Sequence, residues 1–168
     1  CGPNCKPGCH CGKYFEIWND VFMEYNKQED GSYVPMSRKC VDTGMGIERT
    51  VAMLQGKSSV YETADFVELI GSVDKISGIK YGSENNKDIS IRIIIDHCRT
   101  SVFILGDEQG VKPSNLGQGY ILRRLMRRAI RHGRKLGIEG SFLPELGTLI
   151  IEQYKLIYPE LEKSRETI

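Results

Sequence analysis

The feature that most constrains this sequence is a dense cluster of positive charge between Gly119 and Leu136. Six arginines and one lysine lie in this stretch with no acidic residue among them, although the 168-residue chain has a net charge of only +1. At 3.6 residues per turn, the apolar side chains share one face and the basic side chains cover the others. The pattern predicts a helix that packs on a core through Leu122, Leu125, Met126, Ala129 and Ile130.

The basic side of this helix suits phosphate groups. Guanidinium groups offer paired donors that match phosphate oxygens, and a dense positive stripe releases counterions from nucleic acid. A solvated basic surface without a partner is the alternative, but no acidic residue within the stretch offsets the mutual repulsion. The candidate nucleic-acid-binding residues are Arg123, Arg124, Arg127, Arg128 and Arg131.

Composition sets the broad class of the protein. With 40% hydrophobic residues, the chain is expected to form one or two modest cores. No apolar run approaches the ~18 residues that span a membrane, and the first residues lack the pattern of a signal peptide. We therefore expect a cytoplasmic protein with no membrane partner.

Cysteines are concentrated at the start of the chain. Four of the six lie within the first eleven residues, and glycines and prolines separate them. Such a loop can bring four sulfur atoms around one tetrahedral ion, for which zinc is the natural candidate. Disulfide bonds are the alternative, disfavoured in a reducing compartment. The expected ligands of this structural site are Cys1, Cys5, Cys9 and Cys11, with His10 able to replace one of them.

A β-hairpin is predicted next. Residues 14–25 alternate with a period of two, Asp30-Gly31 is a strong turn signal, and residues 32–43 are rich in β-forming side chains. If the turn is tight and no bulge intervenes, Asn19 lies directly opposite Asp42, with Cβ atoms about 5 Å apart. An amide beside a carboxylate could bind an ammonium group. The alternative is that the two side chains form a solvent-exposed polar pair without a ligand.

The second strand is predicted to run through Gly44 and Gly46 into a helix whose apolar face contains Ile47, Val51 and Leu54. Glycines at such a junction let a ligand approach the backbone, and the amides at a helix N-terminus favour anions. By itself this pair of glycines is weak evidence for a binding site.

Several segments together resemble alanyl-tRNA synthetase, a class II aminoacyl-tRNA synthetase. They follow one another in the family's order over nearly the whole chain from Phe15 onward. The segment at residues 42–51 resembles motif 3 of class II enzymes, whereas the cysteine-rich loop departs from the commonest members. The segments are Glu16–Met23, Val41–Arg49, Asp96–Arg99, Pro113–Asn115 and Gly119–Gly133.

The resemblance implies roles for individual residues. Asn19 and Asp42 would hold the substrate alanine, with the Asp42 carboxylate on its ammonium group. Gly44 and Gly46 would leave room for alanine and the adenylate, and Arg49 would be the motif 3 arginine that engages ATP. In the family an asparagine after Pro-Ser reads a G·U wobble pair in the acceptor stem. Asn115 matches that position, with Gln118 as a nearby competitor.

The implied reaction is activation of alanine by ATP with Mg²⁺, followed by transfer of the alanyl group to alanine tRNA. Its catalysis rests on positioning and charge stabilisation, so no cysteine nucleophile is expected. The implied partners are alanine, ATP and the acceptor stem of alanine tRNA, with no DNA. Cys40 and Cys98 are interpreted as small packing residues.

The expected fold class is α+β, with the antiparallel sheet portion of a class II catalytic domain followed by an all-helical domain. A polar linker places the boundary near residue 85, so residues 1–85 carry the cysteine-rich loop at 1–12 and motif 3, and residues 86–168 form the tRNA-recognition domain. Helices are expected at residues 62–76, 88–105, 120–136 and 143–157.

Motifs 1 and 2 of class II synthetases have no counterpart in the chain. We therefore expect a piece of a longer ligase that is inactive alone. The alternatives are a non-catalytic synthetase-like paralogue that binds RNA through the arginine helix and a zinc-stabilised interaction module.

Overall fold

The protein has an α+β fold, as expected from the sequence. A computed structural model describes residues 1–9 and 11–168, and the chain divides into two compact units, Cys1–Thr63 and Ala64–Ile168. The described residues form one two-stranded antiparallel sheet and six α-helices. None of these helices is both long enough and apolar enough to cross a membrane.

The first unit is built around the predicted hairpin. Strand β1 spans Trp18–Lys27, strand β2 spans Tyr33–Met45, and helix α1 spans Ile47–Leu54, followed by a 3-10 turn at Val60–Glu62. The turn between the strands is stabilised by Asp30, whose carboxylate accepts hydrogen bonds from the Ser32 amide at 2.9 Å and the Ser32 hydroxyl at 2.7 Å. Strand β1 starts later than predicted from the alternation.

The apolar face predicted for α1 is not buried. Ile47 is 63% exposed and Leu54 77% exposed, and Ala52 is the buried apolar residue of the helix. The periodicity identified the helix correctly but not its burial, because a face of a helix is buried only where another element covers it.

The second unit is all helical. Its helices are α2 (Ala64–Ser77), α3 (Asn85–Gly106), α4 (Gly117–Lys135), α5 (Leu143–Tyr154) and α6 (Pro159–Lys163). Helix α3 is central and packs against the other four helices of the unit. The helix expected at residues 88–105 is confirmed, and α3 buries a stripe of side chains at helical spacing: Ile91, Ile94, Ile95, Cys98, Val102 and Leu105.

The division between the units lies at residues 63 and 64, whereas the sequence placed a boundary near residue 85. Helix α2 belongs with the second unit because it packs on α3 and α5. The Gln153 side chain on α5 also donates a hydrogen bond to the Asp65 carbonyl, at 2.9 Å. The assignment of residues 1–85 and 86–168 to a catalytic and a tRNA-recognition domain stays a prediction.

Candidate functional site

The hairpin brings Asn19 and Asp42 to one face, but not directly opposite each other. Asn19 pairs with Gly44, and Asp42 pairs with Val21. Directly opposed residues share a face, and so do residues two apart on a strand, so Asn19 and Asp42 are diagonal neighbours. Such neighbours are typically about 7–8 Å apart. The predicted direct pairing is therefore wrong, whereas the shared face is correct.

An irregularity in the ladder explains the difference. The register shifts between Met23 and Tyr25, which pair with Cys40 and Pro35 respectively. Residues 36–39 therefore face the single residue Glu24, which adds three residues to β2. The turn pairs Lys27 with Tyr33, one residue less than the tight turn predicts, so Asp42 lies a net two positions from the predicted partner. A displacement by two residues keeps the same face, because side chains alternate with a period of two.

The junction between β2 and α1 adds an open backbone surface next to this pair. A Cβ atom built on Gly44 would meet no atom within 4 Å, so there is space above the strand at this position. The Gly46 amide donates a hydrogen bond to the Ile17 carbonyl at 3.2 Å, which continues the ladder to the start of α1. Asn19 and Asp42 are both exposed, so a ligand could reach them.

Arg49 is held at the same end of the hairpin. Its guanidinium lies beside the Phe15 ring, 5.5 Å from the ring centre, and its Nη1 donates to the Glu16 carbonyl at 3.3 Å. These two contacts direct the side chain from α1 towards the segment that leads into β1. The role of Phe15 escaped the sequence analysis, because no spacing rule connects residues so distant along the chain.

The four clustered cysteines converge. Their sulfur atoms all lie within 4.8 Å of one another, with Cys1 Sγ 3.1 Å from Cys9 Sγ and Cys5 Sγ 3.6 Å from Cys11 Sγ. The pKa of Cys11 is lowered, chiefly by the hydrogen bond from the Lys13 backbone amide, whereas the hydrogen bond with Cys11 raises the pKa of Cys5. His10, the alternative ligand, lies outside the described residues.

Helix α4 presents its positive charge to solvent. Arg124, Arg127, Arg128 and Arg131 are exposed, while Leu122 and Ala129 on the opposite face are fully buried. Among the residues that the structure describes, none forms an ion pair with Arg127, Arg128 or Arg131. Ile130 is 36% exposed, so the predicted apolar stripe is narrower than expected.

A short loop before α4 carries Asn115. The Ser114 hydroxyl donates to the Leu116 carbonyl at 2.8 Å, and the Ser114 amide donates to the Gly119 carbonyl at 3.0 Å. A Cβ atom on Gly119 would approach the Lys112 carbonyl oxygen to 2.4 Å, so the loop can pack this closely only against glycine. Asn115 is exposed on this loop, and Gln118 is exposed in the first turn of α4.

Arg123 differs from the other arginines of α4. It is only half-exposed, and its Nη1 donates a hydrogen bond to the Asn115 Oδ1 at 2.5 Å. A guanidinium group has donors only, so it must meet the oxygen of the amide and leave the Asn115 NH₂ group pointing away. The sequence analysis placed Arg123 among the phosphate-binding residues and missed this contact, because Asn115 lies in the loop before α4 and no helical spacing relates the two residues.

The segment at Asp96–Arg99 contributes to packing. Cys98 is 5% exposed, and burial raises its pKa to about 12, so it is a buried thiol and not a nucleophile. The Arg99 guanidinium lies over the Phe66 ring at 4.7 Å. The interpretation of Cys98 as a small packing residue is confirmed.

Comparison with known proteins shows which family the chain resembles. A family model described as tRNA synthetases class II (A) matches residues 3–168. Proteins named alanine–tRNA ligase are similar over the whole chain, at 61% identity in Treponema denticola and 56% in Treponema pallidum. A protein of that name from Natranaerobius thermophilus is 48% identical over 99% of the chain.

The chain spans only part of these relatives, namely 28% of the length of the two Treponema proteins and 19% of the Natranaerobius protein. The family match nevertheless covers nearly every residue described above, including both glycines of the β2–α1 junction and the whole of α4. The chain therefore belongs to the class II (A) family of tRNA synthetases.

Proposed function

We propose that this chain is part of an alanine–tRNA ligase, which activates alanine with ATP and transfers it to alanine tRNA. The observation that carries the proposal is the 61% identity over all 168 residues to a protein of that name. Relatives with this name at such identity favour a ligase over a non-catalytic paralogue. The reaction takes place in the cytoplasm, the compartment expected from the sequence.

The first unit would supply the alanine pocket. The Asp42 carboxylate would accept the ammonium group of alanine, and Asn19 would hydrogen-bond to the same substrate from the neighbouring strand. Their diagonal placement supports this, since two side chains about 7–8 Å apart leave room for a small molecule between them. The open space above Gly44 suits the small methyl side chain of alanine and the adenylate formed from it.

Arg49 would engage ATP, with Gly46 leaving room for the adenylate at the start of α1. Its guanidinium is permanently charged, and the contacts with Phe15 and the Glu16 carbonyl limit its orientations. In the class II reaction ATP, with Mg²⁺, would donate its adenylyl group to the alanine carboxylate and release pyrophosphate. A zinc ion held by four cysteines would have no part in this chemistry, because such a site has no open coordination position.

The second unit would bind the acceptor stem. Arg124, Arg127, Arg128 and Arg131 would contact phosphates, which fixes the position of the RNA without reading its sequence. Asn115 would read the G·U wobble pair in the wide minor groove of the A-form stem. Arg123 would assist by holding the Asn115 amide so that its NH₂ group donates to the base pair.

The alanine pocket is tested by Asp42→Asn in the full-length ligase that contains this chain. Loss of one charge-assisted contact is expected to cost about 2–3 kcal/mol, so the KM for alanine in pyrophosphate exchange should rise roughly a hundredfold. The KM for ATP should change little. Asp20→Asn is the matched control, because Asp20 pairs with Thr43 on the opposite face of the hairpin. An unchanged alanine KM for Asp42→Asn would contradict the assignment.

The RNA surface is tested by salt titrations of binding to stems that carry either the G·U pair or a G·C pair. Arg127→Ala with Arg128→Ala should weaken binding to both stems and reduce the salt dependence, whereas Asn115→Ala should abolish the preference for G·U. Arg38→Ala, an exposed arginine on β2, is the charge control. Equal losses on both stems for Asn115→Ala would show that another residue reads the pair.

A further inference from the structure

The cysteine cluster has the dimensions of a four-sulfur metal centre. In a tetrahedral zinc site with Zn–S bonds of about 2.3 Å, the sulfur atoms are about 3.8 Å apart. Two of the sulfur–sulfur distances in the cluster are 3.1 Å and 3.6 Å, and no sulfur pair is separated by more than 4.8 Å. A single ion at the centre could therefore reach all four atoms with small adjustments.

Two consecutive turns produce this convergence. The Cys5 amide donates to the Gly2 carbonyl and the Cys9 amide donates to the Lys6 carbonyl, each at 3.1 Å. Both turns have proline at their second position, where its restricted φ fits, and Gly8 adopts a φ of 88° at the third position of the second turn. The backbone thus presents cysteine sulfurs at successive turn ends without help from a helix or strand.

Hydrophobic packing does not account for the cluster. All four cysteines are exposed or half-exposed, whereas Cys98 in the helical core is buried. Exposed thiols gain little from burial, and four of them grouped together are prone to oxidation unless a metal occupies their sulfur atoms. The convergence of four such groups is therefore better explained by a common ligand.

We infer that Cys1, Cys5, Cys9 and Cys11 bind one Zn²⁺ ion as a closed structural centre. Each Zn–S bond replaces a sulfur–hydrogen bond, and the proton is released to the solvent. No ligand position remains for water, so the ion stabilises the loop and performs no hydrolytic chemistry. This inference is independent of the proposed ligase activity.

The centre anchors the chain just ahead of the hairpin. Phe15 follows the loop within a few residues and lies beside Arg49, so a metal-ordered loop restricts the segment that contacts this arginine. Trp18, the single tryptophan of the chain, begins β1 and is 58% exposed, which makes its fluorescence a reporter for the order of this segment.

The test is metal analysis of the full 168-residue chain, purified under reducing conditions without added metal. The unsubstituted chain should contain about one zinc per chain, and Cys5→Ser with Cys9→Ser should reduce this to near zero. Cys40→Ser is the matched control and should retain the full zinc content. Helical circular dichroism should remain the same in all three proteins, because the cluster lies outside the helical unit.

A second measurement does not depend on the stability of any variant. Titration of the zinc-free, reduced, unsubstituted chain with Co²⁺ should give the sulfur-to-metal charge-transfer band and the strong visible absorption of tetrahedral thiolate cobalt, saturating at about one equivalent. Trp18 fluorescence should change over the same range, and Zn²⁺ should displace the cobalt. Absence of a tetrahedral spectrum, equal zinc loss in Cys40→Ser, or disulfide-linked cysteines under reducing conditions would each overturn the inference.

Discussion

The helical unit buries its apolar side chains, whereas the hairpin unit exposes most of its own. In α3, Ile91 and Ile94 are completely buried. In β1, by contrast, Trp18 is 58% exposed and Phe22 is 77% exposed, and these two side chains share one face of the strand. On the other face Val21 is 50% exposed, so both faces of the two-stranded sheet carry exposed apolar side chains.

The difference shows that the two units depend on different forces. Five helices surround a common core, so burial of apolar surface can stabilise the second unit. A two-stranded sheet has little to bury and is marginally stable alone, so the first unit relies on its ladder, its turn and its cysteine loop. Its exposed apolar side chains are typical of a surface that other protein covers, and the curated relatives are several times longer than this chain.

The largest predicted effect comes from truncating the same residue type in each unit. Leu146→Ala removes a side chain that is 1% exposed and should lower the free energy of unfolding by about 2–5 kcal/mol, because it leaves a cavity. Leu54→Ala removes one that is 77% exposed and should change it by no more than about 0.5 kcal/mol. Urea denaturation of this chain, followed by circular dichroism, measures both.

The same pair of substitutions in a full-length ligase sharpens the comparison. If the remaining protein covers α1, Leu54→Ala becomes destabilising there while staying neutral in this chain. Equal effects of the two substitutions in this chain would contradict the contrast between the units.

A smaller effect is expected from filling the space at Gly133 in α4. A Cβ atom there would lie 2.4 Å from a ring carbon of Phe142, and Phe142 is itself only 4% exposed and cannot move freely. Gly133→Ala should therefore destabilise the helical unit by about 1–3 kcal/mol. Gly71→Ala in α2 is the matched control, because its Cβ would meet no atom within 4 Å and alanine favours the helix. An increase in Tm for both substitutions would contradict this prediction, because it would show that the Phe142 ring moves to make room for the added Cβ atom.

Acidification should destabilise the helical unit modestly. Burial is the main cause that lowers the pKa of His97 and of His132 from the ordinary value of 6.5, and the charge of Arg128 adds to both shifts. His97 Nε2 is buried without a hydrogen-bond partner among the described residues, and His132 Nδ1 lies 3.0 Å from Ser90 Oγ. These histidines therefore bind protons more readily in the unfolded chain than in the folded one. Their contribution to the free energy of unfolding is fully present above about pH 6.5 and is lost as the pH decreases below it.

The measurement is the Tm at about pH 7.5 and about pH 5.5, a window that brackets the ordinary histidine pKa. The double substitution His97→Gln with His132→Gln should reduce the decrease in Tm at the lower pH. His10→Gln, at the third histidine of the chain, is the control and should leave that decrease unchanged. The carboxylates of Glu152 and Glu162 have pKa values below 4.5, because hydrogen bonds from basic partners stabilise their charge, so they titrate below this window. A Tm that is equal at both pH values would contradict the prediction.

The same contrast explains which parts of the fold could be predicted. The buried stripes of α2 and α3 follow directly from apolar residues at helical spacing, because these faces do pack on neighbours. The spacing of Ile47 and Leu54 on α1 is just as regular, yet both are exposed. Periodicity reveals a face, but only the tertiary structure reveals whether it is covered.

The candidate site was predicted in part for a related reason. The convergence of the four cysteines follows from local turns, and the shared face of Asn19 and Asp42 follows from strand alternation. Their register could not be derived, because the extra residues 36–39 leave no mark on the alternation. The contacts of Arg49 with Phe15 and of Arg123 with Asn115 depend on distances that only the folded chain defines.

The smallest effect is expected at the ion pair that crosses the hairpin at its irregularity. Lys39 Nζ lies 2.7 Å from Glu24 Oε1, and their side chains are 72% and 48% exposed. Water and salt screen such a pair, and ordering two long side chains costs entropy, so the coupling should be about 0–1 kcal/mol. A double-mutant cycle with Lys39→Ala and Glu24→Ala measures it, and Arg38→Ala is the neighbouring charge control. Because Glu24 alone faces residues 36–39, a coupling well above this range would show that the pair holds the shifted register, and that side-chain contacts as well as backbone hydrogen bonds stabilise the hairpin unit.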